Sequence, residues 1–83
     1  MDNQTLREEK TILHDARKKL GLTQTQVADK ALITLRQYQK FESGERKLSS
    51  SSFYTASKIL RALELDVTTF ARGGYASLET NEG

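Results

Sequence analysis

The stretch TQTQVADKALITLRQYQKF, Thr23 to Phe41, reads as two short helices joined by a tight turn. Each half opens with a threonine followed three residues later by a glutamine, Thr23 with Gln26 and Thr34 with Gln37. That spacing makes a capping box. The hydroxyl accepts from an orphan amide of the first turn, and the glutamine side chain reaches back to the amide of the capping residue. Helix starts this close together leave room for one short helix and a turn between them.

The second of these helices is the more informative. Leu35, Tyr38 and Phe41 recur every third residue and share one side, while Arg36 and Lys40 lie opposite, flanked by Gln37 and Gln39. An apolar back with a front of long hydrogen-bonding side chains suits a helix lying in the major groove of DNA. Arginine and lysine address guanine O6 and N7 there, and glutamine addresses adenine N6 and N7. A solvated face that happens to be basic is the commoner fate of such a helix taken alone, so the rest of the chain has to decide.

Working outward, 83 residues make one domain with a single modest core. Without cysteine, neither a disulfide framework nor a thiolate metal site can form. No apolar run approaches a membrane span, and the start MDNQTLREE does not resemble a signal peptide, so a cytoplasmic protein is expected. The net charge of +2 is unevenly placed. Residues 1–20 carry five basic and four acidic groups, residues 21–50 five and three, and residues 51–83 three and four. The positive excess sits in the first fifty residues, in agreement with nucleic-acid binding. No paired nucleophile and base, metal cluster or glycine-rich phosphate loop is evident, so neither an enzyme nor a cofactor is expected.

A helix over about 6–20 is expected before this pair, opened by a box of Thr5 and Glu8, with Leu6, Leu13, Ala16 and Leu20 on one face and Ile12 at its edge. Gly21 stops it. The lone His14 reads as a surface residue. Helix 2 is placed at 24–31 and helix 3 at 35–42, with Gly44 as its end, followed by a loop over 43–51. Ser51 or Ser52 caps helix 4, whose buried stripe is Phe53, Ala56, Ile59, Leu60 and Leu63. Asp66 caps a short helix 5 with Val67 and Phe70 as its apolar contacts, ended by Gly73 and Gly74. The domain therefore spans residues 1–74. Residues 75–83 form a flexible tail or, through Tyr75 and Leu78, an arm that packs on a partner subunit.

Together these residues resemble the lambda-repressor-like, or Xre-type, helix-turn-helix family. The segment ARKKLGLTQTQVADKALITLRQYQKFESGERK, residues 16–47, carries most of the resemblance, which extends over about 12–72. Its marks are Gly21, Thr23 and Gln24 before helix 2, Val27 and Ala28 within it, Thr34, and Phe41, Glu42 and Gly44 at the end of helix 3. The register of Ala62, Leu63, Asp66 and Val67 agrees as well.

The resemblance implies an all-α, five-helix DNA-binding domain with its helix-turn-helix at helices 2 and 3. It places Leu35, Arg36, Gln37 and Lys40 at base-reading positions, with Leu35 limited to apolar contact such as a thymine methyl. It places Gln24, Thr34, Arg46 and Lys47 at phosphate-binding positions. Arg17 and Glu42 match an ion pair in some relatives, although exposed charges would read the same way in sequence. Leu32 departs from the family, which usually has glycine there. Either Leu32 takes positive φ, at about 1 kcal/mol or more, or the turn differs and tilts helix 3. The loop after Gly44 is longer than usual.

The expected function is a sequence-specific, DNA-binding transcriptional repressor of bacterial or phage origin, acting as a homodimer on a pseudo-palindromic operator. The alternative is an antitoxin-like module that holds a toxin or other protein partner, with DNA binding secondary.

Overall fold

The computed structural model describes residues 8–71. Its α-helices are α1 (Glu9–Leu20), α2 (Gln24–Ala31), α3 (Leu35–Ser43), α4 (Phe53–Ala62) and α5 (Val67–Ala71), with a one-turn 3-10 helix, Leu48–Ser50, before α4. Four of these have eight residues or more and α5 has five. The all-helical class expected from the sequence is what the structure shows.

Both capping boxes form. Thr23 Oγ1 accepts from the Gln26 amide at 3.1 Å and the Thr23 amide donates to Gln26 Oε1 at 2.8 Å; at Thr34 and Gln37 the same pair measures 3.0 and 2.9 Å. Gly21 and Gly44 close α1 and α3 at φ 71° and 89°, where a side chain would be strained. Ser52 caps α4 by accepting from the Thr55 amide.

Between the boxes the helices pack with α2 against α3 and α4, α1 against α3, and α5 against α4. Leu13, Val27, Tyr38, Leu48, Ile59 and Leu63 are fully buried at the centre. Val27, Ala28 and Ala31 form the inner face of α2, and the two alanines let its neighbours approach closely.

Several expectations need correction. Helix 1 starts at Glu9, since Glu8 is extended and caps nothing with its side chain. Thr5 and Leu6 lie outside the described residues, as do Gly73, Gly74, Tyr75, Leu78 and the expected boundary at 74. Ile12, placed at the edge of the inner face, is buried but lies outside the central core cluster. Phe53 is 73% exposed, because a side chain at the first helical position leans back past the helix start, away from the core that Ile59 and Leu60 fill. Val67 is exposed, leaving Phe70 to pack α5 on the core. The loop after α3 is not featureless. Its extra length folds into the 3-10 turn, which buries Leu48, and the Ser49 amide donates to Glu9 of α1 at 3.2 Å.

Leu32 resolves the question posed by the turn. It adopts φ 60°, ψ 42°, caps α2 and stands 79% exposed. The Leu32 amide donates to the Asp29 carbonyl and the Ile33 amide to the Ala28 carbonyl, so the glycine-type helix end is retained with a leucine in it.

One buried acid ties three helices together. Glu42, at the end of α3, takes a two-pronged ion pair from Arg17 of α1, with Nε donating to Oε2 at 2.8 Å and Nη2 to Oε1 at 3.0 Å. Tyr38 donates its hydroxyl to Oε2 at 2.8 Å, and Gln24 of α2 donates from Nε2 to Oε1. The side chains of Arg17 and Glu42 are only 13% and 5% exposed. Arg17 also donates from Nη1 to the Leu22 carbonyl in the α1–α2 link, at 3.0 Å. Burial opposes ionisation of Glu42, but the bonds from Arg17, Gln24 and Tyr38 outweigh it and hold the carboxyl below its ordinary 4.5. The bond to Glu42 correspondingly raises Arg17. Burial first, then the bond to that carboxylate, keeps the Tyr38 phenol protonated.

Two predictions follow from these features. Leu32→Gly removes the strain of a left-handed leucine while giving back some backbone entropy, and should stabilise the fold by about 0.5–1 kcal/mol in urea unfolding; a destabilised variant would show that the side chain contributes to packing. Because the carboxyl of Glu42 is lowered in the folded state, its contribution is complete above 4.5 and disappears as pH falls through the folded value. Glu42→Ala should therefore cost about 3 kcal/mol at neutral pH and flatten the loss of stability on acidification. An unchanged acid limb would contradict the assignment.

Candidate nucleic-acid interface

The surface built on α3 begins at its capped start. Thr34 fixes where the helix opens, so Leu35, Arg36 and Gln37 occupy its first turn, with Lys40 one turn beyond Arg36. Tyr38, Phe41 and Glu42 are buried and fix the rotation of the helix. Arg36, Gln37 and Gln39 are consequently exposed, Lys40 is half-buried, and Leu35 straddles the edge at 38% exposure. Arg36, Gln37 and Lys40 are thus on the accessible side of α3, and Leu35 stands at its border with the buried side.

Their chemistry is narrower than the residue types alone suggest. The Oε1 of Gln37 is taken by the Thr34 amide, and the Thr34 hydroxyl lies 3.3 Å from the same oxygen. While the box holds, Gln37 presents its amide hydrogens outward and acts as a donor. Arg36 keeps a planar fork of donors, and Lys40 offers a single charged point.

The expected phosphate-binding residues fall into separate groups. Gln24 lies at the first position of α2, where the amides of Gln24 and Thr25 have no carbonyl partner within the helix and the helix dipole favours an anion. It lines a shallow cleft with Lys18, Thr25, Leu35 and Gln39. The Gln24 side chain is held at both ends. Nε2 donates to Glu42, and Oε1 accepts from Gln39 Nε2 at 3.1 Å. Thr34 is committed to its cap.

Arg46 and Lys47 line a second hollow beside Lys10, Phe41 and Gly44. The Arg46 amide donates to the Lys40 carbonyl at 3.0 Å, which folds this loop back against the end of α3. Gln24 and the pair Arg46–Lys47 therefore sit in different hollows, both containing residues of α3 or its immediate end.

Three contributors were not identified as site residues from the sequence. Gln39 locks Gln24 from a position fifteen residues away. Lys18 enters the first cleft and Lys10 the second, both from the polar side of α1. No spacing rule marks them, since each meets the site through packing between helices. His14, expected at the surface, is exposed beside Asp15. Among the described residues no group of acids and histidines could hold a metal ion, and no helix is long and apolar enough to cross a membrane.

Comparison with known proteins bears on the family and the fold. A helix-turn-helix family model matches residues 13–70, which includes α2, α3 and the buried Arg17–Glu42 pair. No curated protein and no solved structure matches the chain. With its two capped helices, its buried ion pair and this match over well more than half its length, the chain belongs to the Xre or lambda-repressor-like helix-turn-helix family of DNA-binding transcription regulators.

Proposed function

We propose that this regulator is a repressor that occupies a pseudo-palindromic operator as a homodimer, each copy placing α3 in the major groove and blocking access of polymerase. Its place of action is the nucleoid of a bacterial cytoplasm. The observation that carries this reading is the accessible side of α3, where Arg36, Gln37 and Lys40 stand on a helix fixed at one end by a capping box and at the other by a buried carboxylate. A single domain of this size buries too little surface for high specificity, whereas two copies about 34 Å apart read half-sites one turn apart.

Within each half-site, Arg36 addresses guanine O6 and N7, Gln37 donates to a purine N7 or to O6 or O4, Lys40 adds a second charged donor, and Leu35 meets a thymine methyl. Gln24 and the free amides of α2 receive one phosphate, Thr34 stands at the mouth of the groove, and Arg46 and Lys47 follow the backbone further on. The antitoxin-like alternative rests on Tyr75 and Leu78, which lie outside the described residues.

Selection from a randomised duplex pool, followed by fluorescence anisotropy over a salt series, tests the proposal. Enrichment of a two-fold symmetric site preferred by roughly 10³ or more over bulk DNA is expected. Weak, salt-sensitive binding with no enriched sequence would overturn it. On the selected site, Arg36→Ala or Lys40→Ala should cost about 1–3 kcal/mol and relax preference at one base position. Lys47→Ala should instead weaken all duplexes alike and flatten the salt slope by about one unit. If the two kinds of variant behave alike, the division between reading and positioning is wrong.

A further inference from the structure

At the end of α2 opposite the Gln24 cleft is a third hollow, between the α2–α3 turn and α4. Its floor is Ala31 and Ala62, both buried, and its rim is Lys30, Leu32, Lys58 and Arg61. It shares no residue with the Gln24 cleft or with the Arg46–Lys47 hollow. Eight residues of helix, about 12 Å, separate it from the proposed phosphate seat.

Three features coincide at this hollow, the first of them shared with most lysines and arginines of the described residues. Its three cations have no carboxylate partner among the described residues. Lys58 lies 4.5 Å over the ring of exposed Tyr54, and Tyr54, Lys58 and Arg61 follow one another along a single side of α4. Leu32 is a large apolar residue in the left-handed conformation, at a position where glycine would be unstrained, and four-fifths of it is in water. Neither the core nor the helix cap uses that side chain. An outlier retained without structural return is grounds for seeking a function.

We infer that this hollow is a docking surface for an acidic segment of a partner protein, one that sets an apolar side chain against Leu32 and the alanine floor and its carboxylates against Lys30, Lys58 and Arg61. Charge complementarity fixes the acidic character of the segment. The apolar floor and the protruding leucine favour a polypeptide over a phosphodiester backbone, which would leave both unmatched. The inference stands apart from the operator proposal, because none of these residues belongs to the surface on α3.

The test uses the full chain as bait for a displayed library of random short peptides, with titration of the selected sequences and of duplex DNA against the same variants. Expected are peptides rich in Asp and Glu around an apolar residue, whose affinity falls by roughly tenfold or more in Leu32→Gly and in the double variant Lys58→Glu, Arg61→Glu, with duplex affinity unchanged in Leu32→Gly. Thermal melts confirm that each variant is folded, and Leu32→Gly keeps the turn geometry whatever the charge swap does. Peptides without acidic bias, or indifferent to both variants, overturn the inference. So does a loss of duplex affinity in Leu32→Gly matching its loss of peptide affinity, which would assign the hollow to DNA. A peptide of residues 73–83, GGYASLETNEG, has two glutamates and no cation. If it binds as tightly as the selected sequences, the occupant is this chain's own tail and the assignment to a partner fails.

Discussion

Glu42 is a carboxylate buried where carboxylates seldom are, and the arrangement of α1, α2 and α3 depends on it. An isolated charge at that depth would be expelled or neutralised. Here the two oxygens receive the fork of Arg17, the hydroxyl of Tyr38 and the amide of Gln24. Each donor comes from a different place in the fold. Arg17 brings α1 and, through the Leu22 carbonyl, the entrance to α2. Tyr38 fixes the rotation of α3 about its own axis, and Gln24 fixes the first turn of α2 beside it. The attraction within such a pair is offset by the desolvation of both ions, so its contribution is less net stability than geometry: removing one partner leaves the other buried and unpaired. The helix-turn-helix is thus held at a fixed angle by a polar clamp as well as by the apolar contacts of Val27, Ala28 and Phe41.

That clamp also connects the interior to the surface. Gln24 has one end in the buried network and its oxygen on Gln39, an exposed residue of α3. A phosphate received at the start of α2, as proposed, would therefore meet a Gln24 side chain that is already positioned, with little rotamer entropy left to lose. Gln37 follows the same rule, since its oxygen is spent on the cap that starts the helix and its donors face outward. Gln37, which helps to cap α3, is thus also one of the residues proposed to face DNA.

Much of this was legible in the sequence because it is written in short-range chemistry. The boxes at Thr23–Gln26 and Thr34–Gln37 fix two helix starts within a few residues, and the spacing of Tyr38 and Phe41 fixes the inward side of α3. Periodicity misled at the ends of helices. Phe53 continues the apolar stripe of α4 in sequence, yet at the first helical position it has no turn of neighbours to cover it, and the expected start of α1 failed because Glu8 is extended. Apart from Arg17 with Glu42, which the family resemblance marked, long-range partnerships were out of reach for the same reason. Gln24 with Gln39 and Glu9 with Ser49 join residues that no local rule associates. Leu32 is an intermediate case. The conflict between a leucine and a glycine position could be seen in advance, but its outcome depended on whether Ala28 and Asp29 could still receive their capping amides.

The central claim is that an ionised Glu42 holds Gln24 in place at the edge of the proposed DNA-reading surface. Carboxyl carbon NMR of Glu42 through an acid titration, recorded together with the side-chain amide of Gln24, tests it directly. The account predicts that Glu42 titrates below 4.5 and that the Gln24 amide signals move with the same midpoint, since they report the bond to that carboxylate. A Glu42 carboxyl that titrates at or above 4.5, with Gln24 signals that ignore it, would contradict the account.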